Sequence, residues 1–221
     1  MCLPEVSIIV TSYNYSFWLH RCIRSLLNQI YVTPDHYEII IIDDGSTDNS
    51  LQIAKSYEDK FSNIKVLNNQ FNRGLAYASN KGIEESVGRY IVRVDADDFV
   101  AREFVIIGIL FLHKNMMYKA AACDYYIVDE NEQLLERVNY FDKEIACGVF
   151  FRREYIYEFG LYDIGFKLRE GHDLMSRFKE KYLVGRIEFP LYKYQKHEKN
   201  RTKVLESEVK LYDEYLKKDK S

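Results

Sequence analysis

Short apolar stretches rich in β-branched residues alternate with longer stretches of helical periodicity in the first half of the chain. Four of the short stretches predict buried strands, over residues 6–11, 38–42, 64–67 and 90–94. Each is followed by apolar residues at helical spacing, in segments that begin at Ser16, at Ser46 or Asp48, at Leu75 and at Glu103. Strands and helices that alternate in this way predict a parallel sheet with helices on both faces.

The alternation becomes less regular after about residue 117. The pattern there predicts strands within residues 119–128, 145–151 and 187–194, the last interrupted by Pro190, and helices over 152–159, 171–182 and 203–217. Neither an internal repeat nor a low-complexity linker separates the two halves of the chain. We therefore predict a single α/β domain, a Rossmann-like three-layer sandwich with a mostly parallel central sheet, made of the halves 1–117 and 118–221.

Composition and charge argue against several classes of protein. The 221 residues include 31 basic and 34 acidic side chains, and a net charge of −3 argues against a dedicated nucleic-acid binder. The longest uninterrupted apolar run, residues 104–112, is about half the length that a membrane-spanning helix needs. The N-terminus shows no secretory leader, so we expect a cytoplasmic protein. In that reducing compartment we expect buried free thiols at Cys2, Cys22, Cys123 and Cys147.

Polar side chains follow three of the predicted strands, at the point where each strand ends. These clusters are Thr11–Asn14, Asp43–Asp48 and Asp95–Asp98. Because ligands bind beyond the carboxyl ends of parallel strands, we expect the clusters to form one site. The carboxylates of Asp95, Asp97 and Asp98 repel one another unless a cation lies between them. Hard oxygen ligands on a short turn suit Mg²⁺ or Mn²⁺, so the sequence predicts a divalent cation that also holds a diphosphate.

Four motifs appear in order along the first hundred residues. They are Val-Ser-Ile-Ile-Val-Thr-Ser-Tyr-Asn (6–14), Ile-Ile-Ile-Ile-Asp-Asp-Gly-Ser-Thr-Asp (39–48), Asn-Arg-Gly-Leu-Ala-Tyr-Ala-Ser-Asn-Lys-Gly-Ile (72–83) and Val-Asp-Ala-Asp-Asp (94–98). Together they resemble the nucleotide-diphospho-sugar domain of family 2 glycosyltransferases with the A-type fold. The resemblance continues more loosely through residues 148–153, 159–163 and 194–197. It implies that the half 1–117 binds the nucleotide sugar and that the half 118–221 binds the acceptor.

The resemblance also implies which residues bind the donor. The nucleotide contacts would come from Thr11, Tyr13, Asn14, Asp44, Arg73, Gly74 and Asp95. The Tyr13 ring would pack against the base and Asp44 would accept a hydrogen bond from it, while Asp43 braces the turn. The ligands of the Mn²⁺ or Mg²⁺ ion would be Asp95, Asp97 and His197. The sequence leaves two roles open for Asn80, one in the site and one structural.

Transfer with inversion needs a base that takes the proton of the acceptor hydroxyl. The family usually provides it from a Glu-Asp pair at the start of a late helix. The corresponding segment here is Arg169-Glu170-Gly171-His172-Asp173, in which His172 occupies the usual Glu place. The resemblance therefore implies Asp173 as the base and Glu170 as the reserve candidate. A capping role alone for Asp173 stays open.

The predicted activity is metal-dependent, inverting transfer of one sugar from a nucleotide-diphosphate sugar, expected to be UDP-linked, to a hydroxyl of a glycan or lipid-linked acceptor. The sequence contains no Gly-x-Gly-x-x-Gly or Walker loop, and no Gln-x-x-Arg-Trp segment of the kind that processive synthases carry. The alternatives are a catalytically inactive sugar-nucleotide-binding protein and a nucleotidyltransferase. The basic segments 193–203 and 217–220 are either a contact with an anionic membrane or a solvated helix face.

Overall fold

The computed structural model describes residues 3–166, 168–200 and 203. Within these residues the helices are α1 Ser16–Leu27, α2 Ser50–Glu58, α3 Leu75–Glu84, α4 Phe104–Lys114, α5 Arg153–Phe159 and α6 Glu170–Lys181. A short 3₁₀ turn, Pro34–His36, precedes the second strand. The strands are β1 Val6–Ser12, β2 Tyr37–Asp43, β3 Ile64–Asn68, β4 Tyr90–Asp95, β5 Phe99–Val100, β6 Ala120–Val128, β7 Leu134–Val138, β8 Val149–Arg152 and β9 Val184–Gln195.

The nine strands of the described residues form one sheet in the order β3-β2-β1-β4-β8-β6-β9-β5, and β7 pairs with β6. The first four strands in this order are parallel, as the alternating pattern predicted. The second half also adds antiparallel pairs, because β8 runs against both β4 and β6 and β5 runs against β9. The strands β5 and β7 were not predicted, since one has two residues and the other is largely exposed.

Apolar side chains pack on both faces of the sheet. Along β2, Ile39 and Ile41 belong to the core on one face and Ile40 and Ile42 to the core on the other. This placement explains why the strand is continuous in isoleucine rather than alternating. The first core contains residues of α1, α2 and α4, and the second contains residues of α3, α5 and α6. The predicted three-layer α/β sandwich is therefore confirmed.

Several local predictions can be compared with the structure. The second helix begins at Ser50, later than predicted. Asp48 lies in the turn before this helix, where its carboxylate accepts hydrogen bonds from the N–H of Ser16 at the start of α1 (3.0 Å) and from the N–H of Ser50 (2.9 Å). The thiols of Cys22, Cys123 and Cys147 are free and buried, as expected. Cys2 and all but the first residue of the predicted helix 203–217 lie outside the described residues. Among the helices that the structure describes, none has the length and hydropathy needed to cross a bilayer.

Asp124 of β6 forms a buried ion pair that fixes β9 beside it. Its side chain is 2% exposed and accepts hydrogen bonds from Arg186 Nε (2.8 Å) and Nη2 (2.7 Å) and from the backbone N–H of Tyr140 (3.1 Å). Burial alone raises the pKa of Asp124, but the bonds from Arg186 outweigh it and hold the pKa below its usual value. The register between β6 and β9 shifts at this residue, so the pair lies at an irregular point of the sheet.

We expect Asp124→Asn to lower the free energy of unfolding by about 2 kcal/mol at pH 7, because the guanidinium loses its charged partner. A depressed native pKa stabilises the fold above the unfolded pKa of about 4, and this contribution is lost as the pH falls through the native value. Urea unfolding at pH 7 and at about pH 3 should therefore show that the difference in free energy of unfolding between wild type and variant is smaller at the lower pH. The exposed Asp35→Asn is the control, and a gap of equal size at both pH values would contradict the argument.

Candidate active site

The loops that follow β1, β2 and β4 meet at one edge of the sheet, as their parallel order requires. A cleft of about 1210 Å³ opens there and reaches the start of α6 and the residues after β9. Eight predicted site residues line this cleft, namely Thr11, Tyr13, Asn14, Asp44, Gly74, Asp95, Asp97 and Glu170. Three others do not line it, namely Arg73, Asp173 and His197.

Asn14 joins the loops after β1 and β2. Its backbone has a φ of +58°, a left-handed conformation that asparagine tolerates better than most residues. Its Oδ1 accepts a hydrogen bond from the N–H of Thr47 (2.8 Å), and its own N–H donates to Ser46 Oγ (3.0 Å). The preceding Tyr13 is 41% exposed in the cleft wall, whereas Thr11 is buried. A ring with this exposure can pack against a planar base.

The Asp44 carboxylate organises the loop that leads into α3. One oxygen accepts a hydrogen bond from Asn69 Nδ2 (2.7 Å), and the other accepts one from the N–H of Gly74 (2.8 Å). The N–H of Arg73 lies 3.0 Å from both oxygens. Asp43 braces its own turn, as the resemblance implied, by accepting from the N–H of Ser46 (3.0 Å). Asp44 still lines the cleft, and its hydrogen bond to a base stays a prediction.

Arg73 lies on the outer side of the same loop. Its guanidinium carbon is 4.1 Å from the centre of the Tyr77 ring, and its side chain is exposed. Gly74 has a φ of +91°, which a residue with a side chain adopts only with strain, and it lines the cleft. Of this predicted pair, Gly74 therefore faces the cleft, and a contact of Arg73 with a diphosphate requires its side chain to leave Tyr77.

Asn80 has the structural role of the two that the sequence left open. Its Nδ2 donates to the carbonyl of Tyr162 (2.8 Å), and its Oδ1 accepts from the N–H of the same residue (2.9 Å). We expect Asn80→Ala to lower the free energy of unfolding by about 2 kcal/mol, because two backbone groups lose their partner. Urea denaturation measures the change against Asn131→Ala in an exposed turn. A loss equal to that of the control would show that these bonds do not hold α3 to the second half.

The three carboxylates after β4 have different surroundings. Asp95 is 27% exposed and lies 3.2 Å from Arg93 Nε. Asp97 Oδ2 contacts His197 Nε2 (3.0 Å) and Asn200 Nδ2 (3.3 Å). Asp98 is fully buried and accepts hydrogen bonds from Tyr192 Oη (2.6 Å) and from the backbone N–H of Gln195 (2.7 Å), both in β9. Asp98 therefore holds β9 in place beside the cleft, while Asp95 and Asp97 line the cleft.

This arrangement suits a divalent cation. Burial raises the pKa of Asp95 against the opposing effect of Arg93, and the charge of Asp97 raises it further. Burial, followed by the charges of Asp97 and Asp95, raises the pKa of Asp98 as well. One ligand atom each of Asp95, Asp98 and Cys147 lie within 4.8 Å of one another. A cation beside Asp95 would offset this repulsion, and carboxylate oxygens suit Mn²⁺ or Mg²⁺, while its ligation by Asp97, which does not belong to that group, stays a prediction.

His197 contacts the predicted metal carboxylate rather than the cleft itself. Its Nδ1 accepts a hydrogen bond from the N–H of Lys199 (3.2 Å), so its Nε2 carries the proton that is donated to Asp97. The imidazole stacks on the ring of Trp18 with 4.2 Å between the ring centres. Sequence reasoning did not assign Trp18 or Asn200, since neither belongs to a quoted motif and both come together with Asp97 only in the folded chain. Direct ligation of a metal by His197 stays a prediction.

The two base candidates have different surroundings at the start of α6. Glu170 is the first residue of the helix, is buried, and lines the cleft. Asp173 lies one turn further along the helix, and its carboxylate is paired with Arg177 at 2.7 Å. It is not part of the cleft lining. Asp173 as the first candidate and Glu170 as the second therefore both stay predictions, and the (i, i+4) ion pair of Asp173 favours Glu170 as the carboxylate that faces the cleft.

Buried polar atoms without a hydrogen-bond partner are frequent in this cleft. Among the described residues they include Ser12 Oγ, Trp18 Nε1, Asp95 Oδ1 and two nitrogens of Arg93, and all four residues line the cleft. Buried polar groups in folded proteins are nearly always hydrogen-bonded, to protein, water or ligand. The residues that line the cleft therefore have polar atoms that could bind a polar ligand.

Residues 7–169 match the model of the family described as glycosyl transferase family 2. The chain belongs to this family. An uncharacterized glycosyltransferase of Haemophilus influenzae is 42% identical over 103 residues, which cover 47% of this chain and 40% of the relative. The glycosyltransferase GlyG of Streptococcus pneumoniae is 34% identical over 130 residues, which cover 58% of this chain and 41% of GlyG. The chain thus spans less than half the length of these curated relatives.

Solved structures show that this family 2 chain has the glycosyltransferase A-type fold. Residues 1–349 of TarS of S. aureus in complex with UDP-GlcNAc give a TM-score of 0.75 at 19% identity and cover 89% of this chain and 60% of that one. The mannosyltransferase PcManGT from Pyrobaculum calidifontis, in complex with GDP-Man and Mn²⁺, gives a TM-score of 0.68 at 17% identity. This match covers 87% of this chain and 57% of PcManGT. At these identities the likeness shows the fold alone.

Proposed function

We propose that the protein is a metal-dependent, inverting glycosyltransferase that moves one sugar from a UDP-linked donor to a hydroxyl of a glycan or lipid-linked acceptor. The observation that carries the proposal is the pair of carboxylates, Asp95 and Asp97, in a cleft shared with the loops after β1 and β2. Structural neighbours were solved with UDP, UDP-GlcNAc, or GDP-Man and Mn²⁺. Membership of family 2 supports the reaction class.

The nucleotide binds in the half of the cleft made by residues 1–117. Tyr13 packs against the base and Asp44 accepts a hydrogen bond from it, while Gly74, whose own N–H donates to Asp44, lines the cleft just before the first residues of α3. A helix start presents free N–H groups to an anion. Asp95 and Asp97 would hold the Mn²⁺ or Mg²⁺ ion, and a bound ion would offset negative charge on the diphosphate.

Glu170 acts as the base in this proposal. Its carboxylate takes the proton of the acceptor hydroxyl while the acceptor oxygen attacks the anomeric carbon from the side opposite the diphosphate. The bond to the diphosphate breaks as the new glycosidic bond forms, so the configuration inverts and an α-linked donor gives a β-linked product. Glu170 suits this role because it is buried in the cleft at the start of α6.

The acceptor binds in the half made by residues 118–221. The cleft there is lined by the half-buried ring of Tyr194 and by exposed cations such as Lys143 and Lys196. Aromatic rings with polar rims suit a sugar, and lysines suit an acceptor that carries phosphate. Contact with an anionic membrane through the basic C-terminal residues is part of this proposal, and residues 217–220 lie outside the described part of the chain.

A catalytically inactive sugar-nucleotide-binding protein is the second candidate. The observation that favours it is Asp173, which the resemblance implied as the base and which is paired with Arg177 outside the cleft lining. Such a protein would bind the donor without releasing nucleoside diphosphate.

A donor screen separates these two functions. The purified protein is incubated with a panel of UDP-, GDP- and dTDP-sugars in MnCl₂ or in EDTA, and released nucleoside diphosphate is measured. We expect release from a UDP-sugar in Mn²⁺ and none in EDTA. Binding without release in any acceptor-supplemented reaction would support the inactive protein, and the absence of binding to every donor would contradict the proposed function.

A further inference from the structure

Arg93 is a charged residue in the interior of β4. Side chains alternate between the two faces of a strand, so Arg93 shares a face with Ile91 and Asp95. Its neighbours on the adjacent strand are apolar, with Ile9 directly beside it. The side chain is 7% exposed and lines the cleft. A guanidinium at this depth is costly unless its charge and its donors have partners.

The charge of Arg93 has a partner, but two of its nitrogens make no hydrogen bond. Nε lies 3.2 Å from Asp95 Oδ1, and the guanidinium carbon lies 5.6 Å from the centre of the Tyr162 ring. Within the part of the chain that the structure describes, Nε and Nη1 are buried without a hydrogen bond. An arginine carries five N–H donors, and buried donors are nearly always satisfied. The side chain therefore presents donors to a ligand of the cleft.

The position of Arg93 indicates which part of the donor it meets. In-line displacement requires the sugar to lie between the departing diphosphate and the base. Asp95 holds the diphosphate side through the cation, and Glu170 is the proposed base. Arg93 lines the same cleft as both carboxylates and is paired with Asp95, so it lies in the wall beside the sugar in this proposal.

We propose that Arg93 donates hydrogen bonds to hydroxyl groups of the donor sugar and selects a neutral hexose over a hexuronate. This proposal rests on the proposed function. A hydroxyl oxygen accepts from the guanidinium, and its proton is available to Asp95 or Glu170. A sugar carboxylate would instead add a further negative charge beside Asp95 and Glu170, where Arg93 is already paired with Asp95, and this costs free energy in a buried site.

The first test compares a nucleoside diphosphate with its sugar. Titration calorimetry in Mn²⁺ measures the Kd of UDP and the Kd of the UDP-sugar that the donor screen selects. If the screen selects a GDP-sugar, GDP and that GDP-sugar are measured instead. We expect Arg93→Gln to raise the Kd of the nucleotide sugar at least tenfold and that of the nucleoside diphosphate less than twofold. Equal changes for both ligands would show that Arg93 acts through Asp95 or the fold, and would overturn the proposal. If the wild type bound neither ligand, the proposed function itself would fail.

The control is Arg137→Gln, an exposed arginine on β7 that should leave both affinities unchanged. Melting temperatures are recorded first. If Arg93→Gln does not fold, Arg93→Lys takes its place, since lysine keeps the charge beside Asp95 but loses the planar fork of donors. We expect the same selective loss for that variant, and equal changes would again overturn the proposal.

The second test uses wild-type protein and a pair of sugars that differ only at C6. UDP-glucose is compared with UDP-glucuronate, or GDP-mannose with GDP-mannuronate if the screen selects guanine. We expect the hexuronate to bind at least tenfold more weakly than the hexose. Equal or tighter binding of the hexuronate would overturn the selection for a neutral sugar.

Discussion

Glu170→Gln should lower the rate of sugar transfer by a factor of about 10³ while the affinity for the donor nucleotide changes less than twofold. Glutamine has the size of glutamate but cannot take the proton of the acceptor hydroxyl. The side chain is buried in the cleft at the start of α6, so the substitution does not remove an exposed surface charge. Transfer is measured under saturating donor and acceptor, and nucleotide affinity is measured by calorimetry.

The matched control is Asp173→Asn on the same helix. Its carboxylate is paired with Arg177 and lies outside the cleft lining, so we expect transfer to fall by less than about threefold. Loss of transfer in Asp173→Asn with retained activity in Glu170→Gln would restore the assignment that the resemblance first implied. Full activity in both variants would mean that neither carboxylate is the base.

Asp97→Asn should weaken binding of the nucleotide in Mn²⁺ by a factor of about 100, to the affinity that wild type shows in EDTA. The amide keeps an oxygen that can accept from His197 and Asn200 but removes the negative charge that holds the cation. Titration of UDP into each protein, with Mn²⁺ and with EDTA, gives the four affinities that are needed.

The exposed Asp142→Asn is the control for general charge effects and should keep the full Mn²⁺ dependence. His197→Gln tests the second contact of the same carboxylate, and we expect a smaller loss, of about tenfold, because the ring orients Asp97. If Asp97→Asn retained undiminished metal-assisted binding, the cation would be held elsewhere. If wild type showed no dependence on Mn²⁺, the proposed metal role would be wrong.

Sequence patterns predict which loops line the cleft, because the geometry of these loops follows from the strands. Each of β1, β2 and β4 is a local apolar run, and a parallel sheet brings the residues after these runs to one edge. Thr11, Asp44 and Asp95 therefore lie in one cleft, as predicted. The remaining strands of the sheet were harder to predict, because β5 has only two residues and β7 pairs only with β6 among the described residues.

The side chains that complete the site depend on contacts that the sequence does not encode locally. His197 meets Asp97 across 100 residues and stacks on Trp18, although a lone histidine has no periodic pattern around it. The resemblance ranks Asp173 before Glu170, and only the folded chain shows that Asp173 is paired with Arg177 while Glu170 lines the cleft. Arg93 lies in a stretch that correctly predicts a buried strand, and its missing hydrogen bonds become visible only in three dimensions.

A crystal of the protein grown with UDP and MnCl₂, with anomalous diffraction data collected for manganese, tests the central claim most directly. We expect one manganese peak at direct-ligand distance from a carboxylate oxygen of Asp97 and from the diphosphate of UDP, with the base beside Tyr13. A cleft in which UDP is bound without manganese, while Asp97 remains bonded only to His197 and Asn200, would contradict the account.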